Sequence, residues 1–339
     1  MKAWRIKDKE QLKLENIVAE VPKEHFVKVK VTYSAISGMD ALLYKGDVVP
    51  NKYPITIGRQ AVGMVTEVGE NVTSLERGDR VVVDPYIFCD ECTPCKDDNF
   101  TSCADIKAYG TNENGLLSDF CIVRCEDLFK LPDRISDKEA IFSGHIALAL
   151  NIATKLNIEK GKHIAIMGAS TVGLALAQIA LYYQAIPIVV DSRQDRLNIA
   201  EKVGVYYCIN ATTDDVRKKM FSYTGGALAT SVAHLVGSSS TIEQTLDSSA
   251  FGANIVIAGW SGSKVNIKAN LQDVFNKQLH ISAVTNGAKM ISSAINMLAN
   301  RTVVVNDLIS SIVPFLDVAK ALKEKIEYPH KDIKVLVKM

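Results

Sequence analysis

No stretch of this sequence approaches the ~18 consecutive apolar residues that a spanning helix requires, and the opening "MKAWRIKDKE" has no apolar core of the kind a secretory leader carries. The expectation is a cytoplasmic chain with no membrane partner. An excess of one charge is lacking too: 39 Lys and Arg against 38 Asp and Glu leave a formal net charge of +1. Such a chain has no global field to draw in nucleic acid, so a polyanionic partner is not expected. Internal repeats and low-complexity tracts are missing, and 47% hydrophobic with 23% charged residues is not the composition of a disordered chain. With 339 residues the sequence exceeds what one core usually serves, so two domains are predicted.

Cysteine is sparse outside one place. Four of the seven cysteines, Cys89, Cys92, Cys95 and Cys103, fall within fifteen residues, which is metal-site spacing rather than a disulfide framework. Four thiolates on a tight lobe fill a closed tetrahedral sphere and leave no position for water, the pattern of a structural zinc. The competing reading, free thiols on a polar loop, is the weaker one because exposed unpaired cysteines are a liability. Cys121, Cys125 and Cys208 lie in or beside apolar segments and read as reduced, partly buried thiols.

The first 130 residues alternate in short runs, "FVKVKVTYSAI", "VGMVTEVG", "DRVVVDPY" and "FCIVRC", separated by Gly, Asp and Asn turns. That texture predicts an irregular antiparallel barrel. From about Asp137, "SDKEAIFSGHIALALNIATKLN" repeats its apolar residues at helical spacing, and strands and helices then alternate. "HIAIMG", "IPIVVD", "YYCIN", "TSVAHLVG" and "ANIVIAGW" are the expected parallel strands, short and apolar on both faces. After roughly Asn286 a helical stretch, "LISSIVPF", "DVAKALKEKIE" and a closing "KVLVKM" are expected to return to the first domain. The domains read as 1–149 with 286–339, carrying the lobe at about 89–103, and 150–285.

"HIAIMGASTVGLALAQIALYYQAIPIVVD" runs strand, Gly-rich turn, helix, strand and terminal acid, the frame of a dinucleotide-binding unit. Gly168 permits the tight turn, and Gly173 lets the helix approach the sheet while its first amides, from Thr171 and Val172, face a pyrophosphate. Asp191, 18 residues beyond Gly173, is placed for ribose hydroxyls and would repel a 2′-phosphate, which argues for NAD over NADP. Ser192 and Arg193 partly offset that repulsion, so NADP stays open. Val236 and Gly237, after the fourth strand, join the cofactor set. Ser170 stands where the middle glycine of the fingerprint belongs, which leaves a domain without nucleotide as the competing reading.

The lobe, this unit and the returning tail together resemble the medium-chain dehydrogenase/reductase superfamily, a GroES-like barrel with a Rossmann domain. The likeness is greatest to zinc-containing alcohol and polyol dehydrogenases of the sorbitol and threonine dehydrogenase type, on "KAWRI", "YPITIG", "VVVDPY" and "CDECTPC". By that resemblance a Cys-Gly-(Thr/Ser)-Asp-x-His motif corresponds to "SGMDAL": the cysteine ligand is Ser37, the relay hydroxyl Met39 and the relay histidine Leu42, while Gly38 and Asp40 keep the pattern. Gly-His-Glu corresponds to Gly58, Arg59 and Gln60, and the remaining acid falls at Gly144 and His145. A catalytic zinc would polarise the carbonyl and stabilise the alkoxide. Serine is a poor ligand for it, and arginine brings a positive charge to the place of a cation.

The expected cofactors are therefore NAD, with NADP as the second choice, one structural zinc and no catalytic zinc. Arg59 is the candidate oxyanion, carboxylate or phosphate clamp, with pairing to Asp40 as its structural alternative. His145 is a candidate general acid, or else a helix-start residue turned away. Ser37, Asp40 and Tyr44 complete the candidate wall. The reading is an NAD(P)(H)-dependent oxidoreductase of a small polar alcohol or carbonyl, or of a conjugated enone; the alternative is a silent relative that binds nucleotide or assembles with an active one. Similar proteins pair through an edge strand of the cofactor domain, and "GANIVIAGW" is apolar enough to do so, giving a homodimer or homotetramer.

Overall fold

The computed structural model describes residues 1–18, 20–259 and 271–339. The chain divides into two compact units: Met1–Gly144 with Ile291–Ala299 and Val305–Met339, and His145–Met290 with Asn300–Val304.

In the first unit the organising element is the strand Phe26–Ile36. Val27, Val29 and Val31 turn inward, at 2% exposure or less, while the intervening lysines turn out. That period of two lets one strand cover a core and still face water. It pairs antiparallel with Ala61–Val68, Phe120–Arg124 and Lys334–Lys338, so the chain's last strand lies beside one of its first. The sheet continues through Arg80–Val83 to Leu128–Lys130 on one side and ends at Ile309–Pro314 on the other. That last strand runs parallel to Lys334–Lys338, a departure from an all-antiparallel barrel. A small sheet of Gln11–Asn16, Lys2–Asp8 and Ile55–Thr56 lies over a second apolar cluster around Trp4, Leu43, Ile57 and Leu117.

The second unit holds six parallel strands in the order Tyr207–Asn210, Ile186–Asp191, His163–Met167, Ala229–His234, Ser249–Ile257 and His280–Ala283. This is the doubly wound order, which reverses beside the first strand and places ligand-binding loops at the carboxyl ends there. The helices Thr171–Tyr182 and Gln194–Lys202 connect the first three strands of the fold.

Three expectations are corrected. His280–Ala283 is a sixth strand that the sequence reading passed over, a run of only four residues, all of them exposed. Consequently Ser249–Ile257, the core of "GANIVIAGW", is interior to the sheet and hydrogen-bonded on both sides, so it cannot be an edge; Trp260 lies outside the described residues. The helical run beginning at Asp137 is two helices, Asp137–Ala140 and Ser143–Leu156. The first is started by a capping box in which Ser136 and Glu139 bond each other's backbone amides.

Among the described residues, no helix is long and apolar enough to cross a membrane.

Candidate functional site

Three places in the chain concentrate chemistry. The first is the lobe after the strand Tyr86–Ile87. A single turn of helix, Thr93–Lys96, with Pro94 near its start, carries Cys95 back toward Cys89 and Cys92. The 3-10 turn Phe100–Ser102 brings in Cys103. Phe88 and Phe100 meet edge to face at 5.6 Å and floor the cluster. All four sulfurs lie within 4.8 Å of one another, with Cys89 at 3.9 Å from Cys95 and 3.6 Å from Cys103. A tetrahedron of thiolates at the ordinary zinc–sulfur distance has edges of about 3.8 Å, so these residues fit such an ion. Backbone amides of Glu91 and Cys92 point at the Cys89 sulfur and pull its pKa down to about 6, favouring the thiolate a metal needs. This cluster can hold a metal ion.

The second place is the corner at the start of the helix Gly38–Lys45. Ser37 is its N-cap in extended conformation. Its backbone amide donates to Asp40 Oδ2 at 2.7 Å, its hydroxyl donates to the same oxygen at 2.6 Å, and the Asp40 amide returns a long 3.4 Å bond to the hydroxyl. The other Asp40 oxygen accepts from the Gly58 amide at 2.8 Å. Asp40 is wholly buried. A carboxylate there costs several kcal/mol unless it is hydrogen-bonded and balanced by charge.

The cationic group that feels the field of Asp40 is Lys334, which the sequence reading did not single out. Its side chain is buried, and its ammonium donates to Gln60 Oε1. Burial pushes its pKa down to about 7, an effect that the field of Asp40 opposes and that of Lys325 reinforces. Its signal in the sequence is a lysine opening the otherwise apolar strand "KVLVK".

Arg59 therefore does not pair with Asp40. Its guanidinium lies 4.9 Å over the Tyr86 ring and makes one long bond, 3.4 Å, to the Thr111 hydroxyl. Neighbouring backbone fixes its stem: Gly58 has φ +93°, a Cβ on it would strike Leu117 at 2.7 Å, and one on Gly110 would reach the Gly58 oxygen at 2.6 Å. Tyr44 packs against the apolar cluster that contains Trp4 and Leu43. Ser37, Asp40, Arg59 and Gln60 are thus gathered in one corner. His145, half-buried on the helix Ser143–Leu156, belongs to the other unit.

The third place is the turn after His163–Met167. Gly168 takes φ +117°, and a Cβ on Gly173 would lie 2.0 Å from the Gly168 oxygen, so both positions require glycine. Ser170, in the place of the middle glycine, is the N-cap of Thr171–Tyr182 and accepts from the Gly173 amide at 3.3 Å. The substitution thus stabilises the start of the same helix. Asp191 accepts from the Ala169 amide at 2.7 Å and the Arg193 amide at 2.9 Å, which ties the acid to the turn. The Arg193 guanidinium is engaged by Asp195. Val236 comes within 3.0 Å of a Cβ placed on Gly168, and the Gly237 amide donates to Nε2 of the buried His234. Burial pushes His234 down to about 4, so the ring is neutral and accepts that bond.

Two family profiles match this chain: an alcohol dehydrogenase GroES-like domain over residues 23–133 and a zinc-binding dehydrogenase over 171–300. The chain belongs to the medium-chain alcohol dehydrogenase-like family. It is 28% identical to an uncharacterized zinc-type alcohol dehydrogenase-like protein of Haemophilus influenzae over 94% of each chain. Sorbitol dehydrogenase of Halalkalibacterium halodurans is 30% identical over 67% of this chain and 66% of its own. A crystal structure of a short chain alcohol dehydrogenase from Escherichia coli CFT073, complexed with NADH, superposes with a TM-score of 0.90 at 26% identity, covering 100% of this chain and 99% of the other. Among the described residues, the cysteine lobe is the only cluster of His, Cys, Asp or Glu with metal-binding geometry.

Proposed function

We propose that this protein is an NAD(P)(H)-dependent oxidoreductase that works without a catalytic zinc, on a small polar alcohol or carbonyl or a conjugated enone. The observation that carries this reading is the closed network at Ser37. Its hydroxyl and both Asp40 oxygens are engaged in capping the helix and receiving the Gly58 amide. Gln60 is held by Lys334, and the neighbouring side chain is a guanidinium. The one carboxylate, Asp40, has both oxygens taken by the chain, and the hydroxyl, amide and two basic groups around it are not a donor set for a divalent ion, so the residues do not fit a catalytic zinc.

Fixed protein charge then takes over the electrostatic work. Arg59 directs positive charge toward the substrate and, always protonated, releases no proton. His145 of the second unit is the proposed general acid; in the first unit Ser37, Asp40 and Tyr44 are the further proposed site residues, with Ser37 and Asp40 bonded to each other and Tyr44 against the apolar cluster. Gly168, Ser170, Thr171, Val172, Gly173, Val236 and Gly237 would hold the dinucleotide, which when bound supplies or accepts the hydride. Asp191 would meet the ribose, and Arg193, already occupied by Asp195, favours NAD over NADP. Cys89, Cys92, Cys95 and Cys103 would carry one structural zinc. The exposed edge strand His280–Ala283 is the proposed seam of a homodimer or homotetramer.

The experiment is a fluorescence titration with NADH followed by turnover of a panel of enones, keto-sugars and polyols, with metal content measured on the same sample. Binding with turnover at one zinc per chain is expected. Binding without turnover on any member would replace this reading with a silent relative, and a second zinc would overturn the account of Ser37 and Arg59.

A further inference from the structure

The charges of the Ser37 corner do not balance equally. Asp40 is satisfied by Ser37 and Gly58, and the buried lysine reaches in from the last strand to bond Gln60. Arg59 has no such arrangement. No carboxylate of a described residue lies within 4.0 Å of its guanidinium, which has only the Tyr86 face and the 3.4 Å bond to Thr111. A guanidinium carries five N–H donors in a planar fork, and a half-buried one with a single long bond is missing partners that water replaces only in part. The Tyr86 ring lies beneath the guanidinium, and Thr111 adds a hydroxyl beside the fork. An aromatic platform, a free planar fork and an adjacent hydroxyl are the components that recognise a planar or tetrahedral oxyanion with two parallel hydrogen bonds.

We infer that Arg59, with Thr111 beside it and Tyr86 beneath it, binds a permanent oxyanion, a carboxylate or a phosphate, carried by the substrate itself. This rests on the reading above that the corner faces a substrate, and it narrows that substrate to a small hydroxy or oxo compound with an anionic group. The fold satisfies Asp40 with Ser37 and Gly58 and sets Lys334 against Gln60, so none of these groups takes up the arginine's charge. Tyr86 discriminates as well as supports, since a ring under the guanidinium keeps the fork in one plane and favours two-point contact over a diffuse ion atmosphere.

The test is calorimetric titration of the full-length protein, saturated with NADH so that the dinucleotide's own phosphate contacts are filled, with inorganic phosphate in one arm and acetate in the other. Wild type is expected to bind at least one of them, and Arg59→Gln to bind it at least about 10-fold more weakly. Arg59→Lys, which keeps charge but loses the fork, should fall between the two. The arm that binds more tightly identifies the anion. A thermal melt of Arg59→Gln like that of wild type shows that the loss is local. No binding of either probe to wild type, or equal binding by wild type and Arg59→Gln, overturns the inference. Because no turnover is measured, a protein that binds phosphate through Arg59 but is silent on every alcohol sinks the oxidoreductase reading alone. Turnover of neutral polyols with no anion binding sinks this inference alone.

Discussion

In the lobe at 89–103 four soft thiols converge on a common centre, with all sulfurs within 4.8 Å. In the corner around Ser37, part of the same unit, a hydroxyl, a carboxylate, an amide and an ammonium are turned toward one another. Both places fix a loop against a sheet, but by opposite means. The lobe turns its four sulfurs toward a common centre that a cation could fill. The corner is completed from within the chain by a lysine 274 residues from its partner in sequence. A buried acid such as Asp40 needs its hydrogen bonds supplied by the chain, and here Ser37 and Gly58 supply them.

The largest effect that would break this contrast is at the lobe. Cys95→Ser should reduce zinc from one per chain to below about a tenth and lower the melting temperature markedly, since metal binding at a closed site is folding free energy. Retention of full zinc content in that variant, measured by elemental analysis, would move the metal elsewhere.

A smaller effect is expected at Lys334. Its folded pKa lies near 7, below the ordinary lysine value of 10.5. Below about pH 7 folded and unfolded chains both carry the proton, and the burial penalty is present in full. As pH rises above that, the folded protein releases the proton while the unfolded chain keeps it, so this group adds stability with increasing pH. Between about pH 7 and 9 the wild-type melting temperature should gain about 2 °C or more relative to Lys334→Met, whose residual slope lacks this group. Parallel curves would mean that the ammonium remains charged beside Asp40.

The smallest effect is at the cap. Ser37→Ala removes the hydroxyl from the capping box and should cost about 1 kcal/mol. Urea denaturation should show it as a lower midpoint with an unchanged slope. A cost near zero would show that Asp40 holds the helix start through the Gly58 amide alone.

Much of the fold was legible because it is locally encoded. The alternation in "FVKVKVTYSAI" is a property of neighbouring residues, and the strand it predicts places Val27, Val29 and Val31 in the core. Gly168 and Gly173 could be read as obligatory because a turn and a helix–strand approach leave no room for a Cβ, and the structure shows that crowding. His280–Ala283 was missed since a short strand at a sheet edge, with every residue exposed, has no pattern to find. Lys334 was not anticipated near Asp40 either. Pairing of Arg59 with Asp40 stood as the structural alternative to a clamp, whereas the acid's surroundings are set by strand pairing, which carries Val335 to a position opposite Ile36.

By itself the sequence determined the donor chemistry. Four cysteines at metal spacing, a serine and an arginine at 37 and 59, and an acid closing the second strand of the βαβ unit can all be read without coordinates. Only the tertiary structure decided which charges meet. Pairing of the last strand with Phe26–Ile36 brings the strand headed by Lys334 beside the end that leads to Ser37 and Asp40, and it thereby leaves Arg59 uncommitted. The physical reason is range: hydrogen-bonding capacity belongs to each residue, but compensation of a buried charge depends on what chain topology brings within a few ångströms, and local sequence holds no record of that.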